Sequence, residues 1–366
     1  MKKFLVVAGA RPNFMKVAPL MREFRRRMEQ GADVSVLLAH TGQHYDEKMS
    51  ANFFRDLDIP LPDVNLEVGS GSHAVQTAKV MMAFEELCEQ EKPDWVVVVG
   101  DVNSTMAAAI TARKLGIRVA HVEAGLRSGD MSMPEEINRL CTDAISDLLY
   151  TTDRIAGENL RREGVAESRI RFVGNVMIDT LYGSLERARA LPPVNGLTAG
   201  NYAVVTLHRP ANVDSAERLS ALLGVISEIS HQVPVLFPMH PRTKKNIESF
   251  GLQSLVEGNG HIHVTEPMSY LPFLSSVAGS RLVLTDSGGI QEETTVLGVP
   301  CLTMRPNTER PITCECGTNI LVGDDVGRIR SAFSDVMRGA VSRRAIPDLW
   351  DGRAAQRIVA DLIENH

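Results

Sequence analysis

Runs such as WVVVVG (95–100) and RLVLTD (281–286) carry uninterrupted apolar cores, VVVV and LVL, and this limits the fold more than any other feature of the chain. A strand with one face in water alternates apolar and polar residues. A strand apolar throughout must be covered on both faces, as in a parallel sheet flanked by helices. Similar runs recur at FLVVAG (4–9), VSVLLA (34–39), RVAHVE (118–123), DLLYTT (147–152) and IRFVG (170–174). After a break rich in proline, glycine and small residues, GSLERARALPPVNGLTAGNY, they resume at YAVVTL (202–207), VPVLFP (233–238), HIHVTE (261–266) and VPCLTM (299–304). Amphipathic segments of helical length lie between them, among them KVAPLMREFRRRMEQ, AVQTAKVMMAFEELCEQ and TMAAAITARKLG. At 366 residues the chain is too long for one ordinary core. The pattern predicts an α/β protein of two doubly wound, Rossmann-like domains facing a cleft.

Charge and cysteine content narrow the function. The net charge is −6, from 39 basic and 45 acidic residues, so broad attraction to nucleic acid or to an anionic membrane is not expected. Any bound anion must be met by a local cluster. The start, MKKFLVVAGARPNF, lacks the long apolar core and small-residue cleavage site of a signal peptide. No stretch approaches the length of a transmembrane helix. The five cysteines, Cys88, Cys141, Cys301, Cys314 and Cys316, are odd in number and scattered, which points to a reducing, cytoplasmic setting. Cys314 and Cys316 have no accompanying His-Cys cluster, so no metal site is expected.

In open α/β sheets ligands bind beyond the carboxyl ends of the strands, and the conspicuous polar residues of this chain follow its apolar runs. VVAG leads to Arg11, with Lys16 behind it; VVVVG to Asp101; RVAHV to Glu123; AVVTL to His208; VLFPM to His240; RLVLT to Asp286 and Ser287. In LTDSGGIQEE, Ser287 is placed to cap a helix while Gly288 and Gly289 leave its first amides open, an arrangement that holds a phosphate. Glu293, four residues after Gly289, falls on the same helical face, within reach of a ribose diol. A serine nucleophile at this corner would need an all-β fold that nothing here supports. The stretch GSGSHA (69–74) has a dinucleotide-binding spacing but follows a short, half-polar run, so no nicotinamide site is assigned to it. Asp101 has a competing reading as a helix cap, and Glu135 and Glu136 as residues favoured by the helix dipole. Of those two, Glu135 stands one turn from Arg139, able to pair with it.

Taken together, GARPNFMK, HTGQH, GDVNSTMAAA, HVEAGLRSGD, MPEEINR, LHRPAN, LTDSGGIQEE and TERP occur in an order that covers nearly the whole chain. The sequence resembles the non-hydrolysing UDP-N-acetylglucosamine 2-epimerases, of the GT-B type fold. The resemblance implies catalytic roles for Asp101, Glu123, Glu135 and His208. It implies substrate contacts from Arg11 and Lys16 and UDP contacts from His240, Phe273, Ser287, Gly288, Gly289, Glu293 and Arg310. It further implies no cofactor, no metal and a homodimer. Its fold implies a first domain of residues 1–174, rejoined by a returning C-terminal helix at 352–366, and a UDP-binding domain of residues 175–351.

The C2 hydrogen of the sugar is not acidic, because no carbonyl is conjugated with that carbon. The family's route is elimination: UDP leaves C1, C2 loses its proton, and 2-acetamidoglucal forms before UDP adds back. That path needs donors for the departing diphosphate and acid/base groups on both faces of the sugar. A hydrolysing epimerase, an epimerase of a modified sugar such as a diacetamido uronic acid, a GT-B glycosyltransferase and a nucleotide-sugar sensor remain as alternatives. Pro210 and Tyr45 stand where many bacterial members carry arginine, beside the site at which substrate activates those members. The loop before Glu135 is shorter than theirs. Activation by substrate is therefore not among the properties the resemblance implies.

Overall fold

The computed structural model describes residues 1–9, 11–42, 61–341 and 345–364, with the backbone alone at Arg11 and Pro12. The chain divides into two compact units, Met1–Gly183 with Asp348–His366, and Ser184–Pro347. Within the first, β1 (Lys2–Ala8), β2 (Val34–His40), β3 (Val64–Asn65), β4 (Trp95–Val99), β5 (Arg118–Ala124), β6 (Leu148–Thr151) and β7 (Ile170–Phe172) form one sheet. Its order is β3-β2-β1-β4-β5-β6-β7, and every pairing is parallel. All five residues of β4 are buried, as a strand covered on both faces requires. On one face Leu5, Val7, Val96 and Val98 pack with Phe84, Ala108 and Ala112. The helix Asn103–Lys114 buries Ala107, Ala108, Ala109 and Ala112, small side chains that let its backbone approach its neighbours closely.

The last helix, Ala354–Glu364, packs against the helix Arg11–Glu29 in this same unit. Asp179 accepts the amides of Ala354 and Ala355 at 3.0 and 2.8 Å, and the Tyr150 hydroxyl donates to Asp361 at 2.9 Å. The unit boundaries differ from those the resemblance implied, which lay at 174/175 and 351/352. The helix Val176–Arg189 begins inside the first unit, where Thr180 donates to the Met15 carbonyl at 2.5 Å. Residues 348–351 also belong there. Trp350 donates to the Thr152 carbonyl at 2.9 Å, and Gly174 lies so close to the Leu349 carbonyl that a Cβ would stand 2.1 Å from it.

The second unit holds β8 (Ala203–Thr206), β9 (Val235–Pro238), β10 (Ile262–Thr265), β11 (Leu282–Thr285), β12 (Cys301–Thr303) and β13 (Asn319–Leu321). Their order is β10-β9-β8-β11-β12-β13, again parallel throughout. The core lies between this sheet and the helices Ala216–Ser230 and Val326–Met337, with Val205, Phe237, Leu284 and Leu302 against Leu222, Ile226, Ile329 and Phe333. The edge strands β3 and β13 were not expected from the sequence. Two or three residues, each run holding one asparagine, carry no readable period. Among the described residues no helix is long and apolar enough to cross a membrane.

Candidate active site

Each sheet reverses its strand order at one place, β1 beside β4 and β8 beside β11, and the loops leaving those strands are where such sheets bind ligands. In the first unit β1 leads to the helix that carries Asn13 and Lys16, and β4 leads to Gly100 and Asp101. Asn13 donates to the Val99 carbonyl at 3.0 Å and accepts the Gly9 amide at 3.3 Å, tying the two loops together. Glu123, near the end of β5, has φ +75° in the left-handed region that favours glycine. The pairing with β6 slips there, between Val122 and Ala124. This bulge aims the buried Glu123 carboxylate at Lys16, with which it forms an ion pair. Lys16 is thus the cation that compensates this buried acid. Gly100 leaves them room, since a Cβ there would stand 3.0 Å from Lys16 Nζ and 3.3 Å from Glu123 Oε2.

Asp101 does not cap the helix Asn103–Lys114, whose N-cap is Val102. Its carboxylate is instead held by Arg139 at 2.5 Å, and the same buried guanidinium meets Glu136 at 2.6 Å. The pairing expected of Glu135 with Arg139 is thus corrected: Glu136 is the buried partner and Glu135 is exposed. Burial pushes the Glu136 carboxyl up, but the amides of Ser128 and Gly129 and the Arg139 charge bring it below its ordinary value. Glu135 and Asp101 line one cleft of about 340 Å³ together with Ser70, Gly71, His73, Gln76, Asn103 and Asn138. Asn138 bridges the Asp101 carbonyl, at 2.9 Å, and Asn103, at 3.2 Å. The GSGSHA stretch, unsuited to a dinucleotide, contributes three of these walls. Arg11 opens its helix; Gln43, His44 and Tyr45 lie outside the described residues.

In the second unit β8 and β11 deliver His208 and Asp286 side by side. His208 Nδ1 lies 2.8 Å from Asp286, which is buried and also accepts the Arg209 amide at 2.9 Å and the Asn212 side chain at 3.2 Å. A carboxylate at Nδ1 orients the ring and turns Nε2 away from Asp286. His240 packs beside it, ring centroids 5.8 Å apart, and accepts the Arg242 amide at Nδ1 as the N-cap of Pro241–Ser249. Ser287 is the N-cap residue of Gly288–Leu297, yet its side chain makes no capping bond. Gly288 and Gly289 therefore supply the helix's open first amides. Arg310 stands against them: a Cβ on Gly288 would meet its Nη1 at 2.8 Å and Glu309 Oε1 at 2.7 Å. Glu309 and Glu292 hold the buried guanidinium at 2.7 and 2.8 Å. A helix N-terminus with an arginine beside it suits an anion, with the Arg310 charge shared here between that corner and the two glutamates.

The sequence profile of the family described as UDP-N-acetylglucosamine 2-epimerase matches residues 26–363. The chain belongs to that family. It is 42% identical to the UDP-N-acetylglucosamine 2-epimerase of Methanocaldococcus jannaschii, over 98% of each chain. The crystal structure of that epimerase in complex with UDP-GlcNAc and UDP superposes with a TM-score of 0.89, covering 99% of each chain. The UDP-2,3-diacetamido-2,3-dideoxy-D-glucuronate 2-epimerase of Pseudomonas aeruginosa is also 42% identical, over 88% of each chain. The fold is accordingly the two-domain Rossmann-like arrangement of the GT-B type.

In this epimerase-family chain the electrostatics differ from residue to residue. Burial would raise Asp286, but bonds from His208, Arg209 and Asn212 hold it below the usual carboxylate range. Burial and the neighbouring His208 hold His240 below its ordinary value, against an opposing pull from Asp286. Glu293 is buried, accepts the Tyr270 hydroxyl at 3.0 Å and sits beside Glu292; burial pushes its carboxyl up to about 7. Tyr270 and Phe273 share the helix Tyr270–Ala278, and Phe273 is partly buried against the cluster around Tyr202 and Val277. Among the described residues no group of three or more His, Cys, Asp or Glu side chains could hold a metal ion. Reading the sequence missed Asp286 as the partner of His208, although its place before SGG at a strand end was a signal. It also missed His73 in the cleft, and Asn138, although Asn138 lies within MPEEINR.

Proposed function

We propose that this enzyme interconverts UDP-N-acetylglucosamine and UDP-N-acetylmannosamine by eliminating and re-adding UDP through 2-acetamidoglucal. The observation that carries the reading is the anion corner of the second unit, where the open amides of Gly288 and Gly289 meet the buried Arg310. In elimination the C1–O bond breaks with its electron pair passing to the diphosphate, and a base takes the C2 proton. Helix amides, Arg310 and His240 stabilise the departing charge. Asp101, Glu123 and Glu135 are the acid/base groups of the first unit, and His208, oriented by Asp286, serves from the second. Re-addition returns a proton to the other face of C2 and the diphosphate to C1, so no electrons are gained or lost and no redox cofactor is called for. Glu293 accepts the ribose hydroxyls, Phe273 borders the uracil, and Arg11 and Lys16 reach the nucleotide-sugar.

A homodimer working in the cytoplasm belongs to the same proposal. The five cysteines are all free, as in a reducing compartment, and Val75, Met82 and Ile137 are exposed on helices of the first unit, apolar surface that a second copy would cover. The equal identity to the diacetamido-glucuronate epimerase supports a second reading, the same chemistry on a modified sugar. Proton NMR of the protein with UDP-N-acetylglucosamine in D2O separates them. UDP-N-acetylmannosamine carrying deuterium at C2, without net loss of UDP-sugar, is the expected result. Free N-acetylmannosamine with UDP would instead make it a hydrolysing enzyme. Bound but unchanged substrate would favour the modified sugar.

A further inference from the structure

The backbone at Glu123 adopts a conformation that a glutamate disfavours, and such strain persists only where the surroundings over-determine it. The group that does so is Asp143, fully buried on the helix Pro134–Ile145. Its Oδ1 lies 2.6 Å from His121 Nδ1; its Oδ2 accepts the Gly125 amide at 3.0 Å and Arg127 at 2.7 Å. His121 and Gly125 are the residues two before and two after Glu123, so a single carboxylate ties down both sides of the bulge. The link runs on. His121 Nε2 donates to the Gly100 carbonyl at 2.8 Å, and the Gly100 amide donates to the Val122 carbonyl at 3.0 Å. The loop that presents Asp101 is thereby fastened to the strand that presents Glu123.

Buried polar networks whose members are all satisfied rigidify what they join, and groups behind a reacting carboxylate set its geometry much as outer partners orient metal ligands. We propose that Asp143, acting through His121 and the Gly125 amide, is a positioning residue for Glu123. It holds the Glu123 carboxylate in the geometry needed for proton transfer without itself meeting the substrate. This rests on the acid/base role given to Glu123 above.

A double-mutant cycle tests it, with Asp143→Asn, Glu123→Gln and the double variant assayed on UDP-N-acetylglucosamine by NMR in D2O. Asp143→Asn is expected to lower kcat by about 10- to 100-fold, with KM within about threefold because the anion corner lies in the other unit. In the Glu123→Gln background the same change is expected to cost nothing further, since its effect passes through the missing carboxylate. A residue that only supports the fold would lower activity by the same factor in both backgrounds. Undiminished kcat in Asp143→Asn beside a crippled Glu123→Gln overturns the positioning role alone, as do losses that multiply in the double variant. Full turnover by Glu123→Gln removes the role of Glu123, and the proposal falls with it. Should Asp143→Asn not fold, His121→Asn keeps a donor for Asp143 near the Nδ1 position but has no atom to reach the Gly100 carbonyl, so it breaks the onward link, and its cycle is read by the same criteria.

Discussion

Replacing Glu293 with glutamine separates the stability of the second unit from its capacity to bind a nucleotide. The Glu293 carboxyl is fully buried with Glu292 beside it, and burial carries it from 4.5 to about 7. Between those values the folded state holds more protons than the unfolded chain, so stability falls as pH rises from about 4.5 to about 7 and stays level above. Below about 4.5 the group is neutral in both states and costs nothing. The full displacement corresponds to at most about 3 kcal/mol. Glutamine is neutral at every pH, nearly the same shape, and keeps an oxygen for the Tyr270 hydroxyl, now 3.0 Å from Glu293 Oε1. Glu293→Gln is therefore expected to be more stable than the parent by about 1–3 kcal/mol at pH 8.5, the gap closing towards pH 4.5. Thermal unfolding at pH 5, 7 and 8.5 reads this, at about 2–4 °C per kcal/mol for a domain of this size. Affinity should move the opposite way. A diol donating to glutamine instead of a carboxylate loses about 1–2 kcal/mol, so UDP-N-acetylglucosamine should bind roughly tenfold more weakly at pH 8.5 by calorimetry. The parent's affinity, but not the variant's, should weaken as pH falls below about 7. A variant no more stable than the parent at pH 8.5 would refute the argument from burial.

Three other substitutions probe the remaining contacts. Asp286→Asn removes the anionic acceptor that orients His208, and kcat should fall about 100-fold or more while UDP affinity changes little by calorimetry. Because Asp286 is held below the usual range, the stability it contributes is present at neutral pH and lost as pH falls through its folded value; in Asp286→Asn that loss should be absent from acid titrations followed by circular dichroism. Gly288→Ala places a methyl 2.7 Å from Glu309 and 2.8 Å from Arg310. UDP affinity should drop at least about tenfold, whereas the overpacking cost of about 1–3 kcal/mol is partly offset by alanine's helix propensity. Arg139→Lys keeps the charge but not the planar fork that reaches both Asp101 and Glu136. Steady-state kinetics should show kcat/KM lowered by about tenfold or more.

Glu135 and Glu136 show where sequence reasoning stops. Both open a helix, and Arg139 lies at helical spacing from each, so the intrahelical rule cannot choose. The choice is made by what packs against the helix: the amides of Ser128 and Gly129 close on Glu136, at 3.0 and 2.9 Å, and Glu135 is left at the cleft wall. Asp101 is a similar case. Its place before a helix suggested a cap, and only the arrival of Arg139 from a distant segment takes its carboxylate elsewhere.

The sequence by itself determined the class of fold and the kind of ligand corner. A strand apolar on both faces must be covered on both, as by the helices of a parallel sheet, and Ser-Gly-Gly opening a helix after such a strand marks a phosphate corner, although only the structure shows that the Ser287 side chain leaves the first amides uncapped. Those are local consequences of backbone and side-chain type. Tertiary structure alone decided which charges meet: Lys16 with Glu123, Asp286 with His208, Arg310 with the Gly288 turn, and Asp143 with both sides of the Glu123 bulge. Each pair joins different elements, from 18 residues apart for Gly125 and Asp143 to 107 for Lys16 and Glu123. Their proximity is set by strand order and by the buried surfaces that fix it, and nothing in the spacing of residues along the chain records that order.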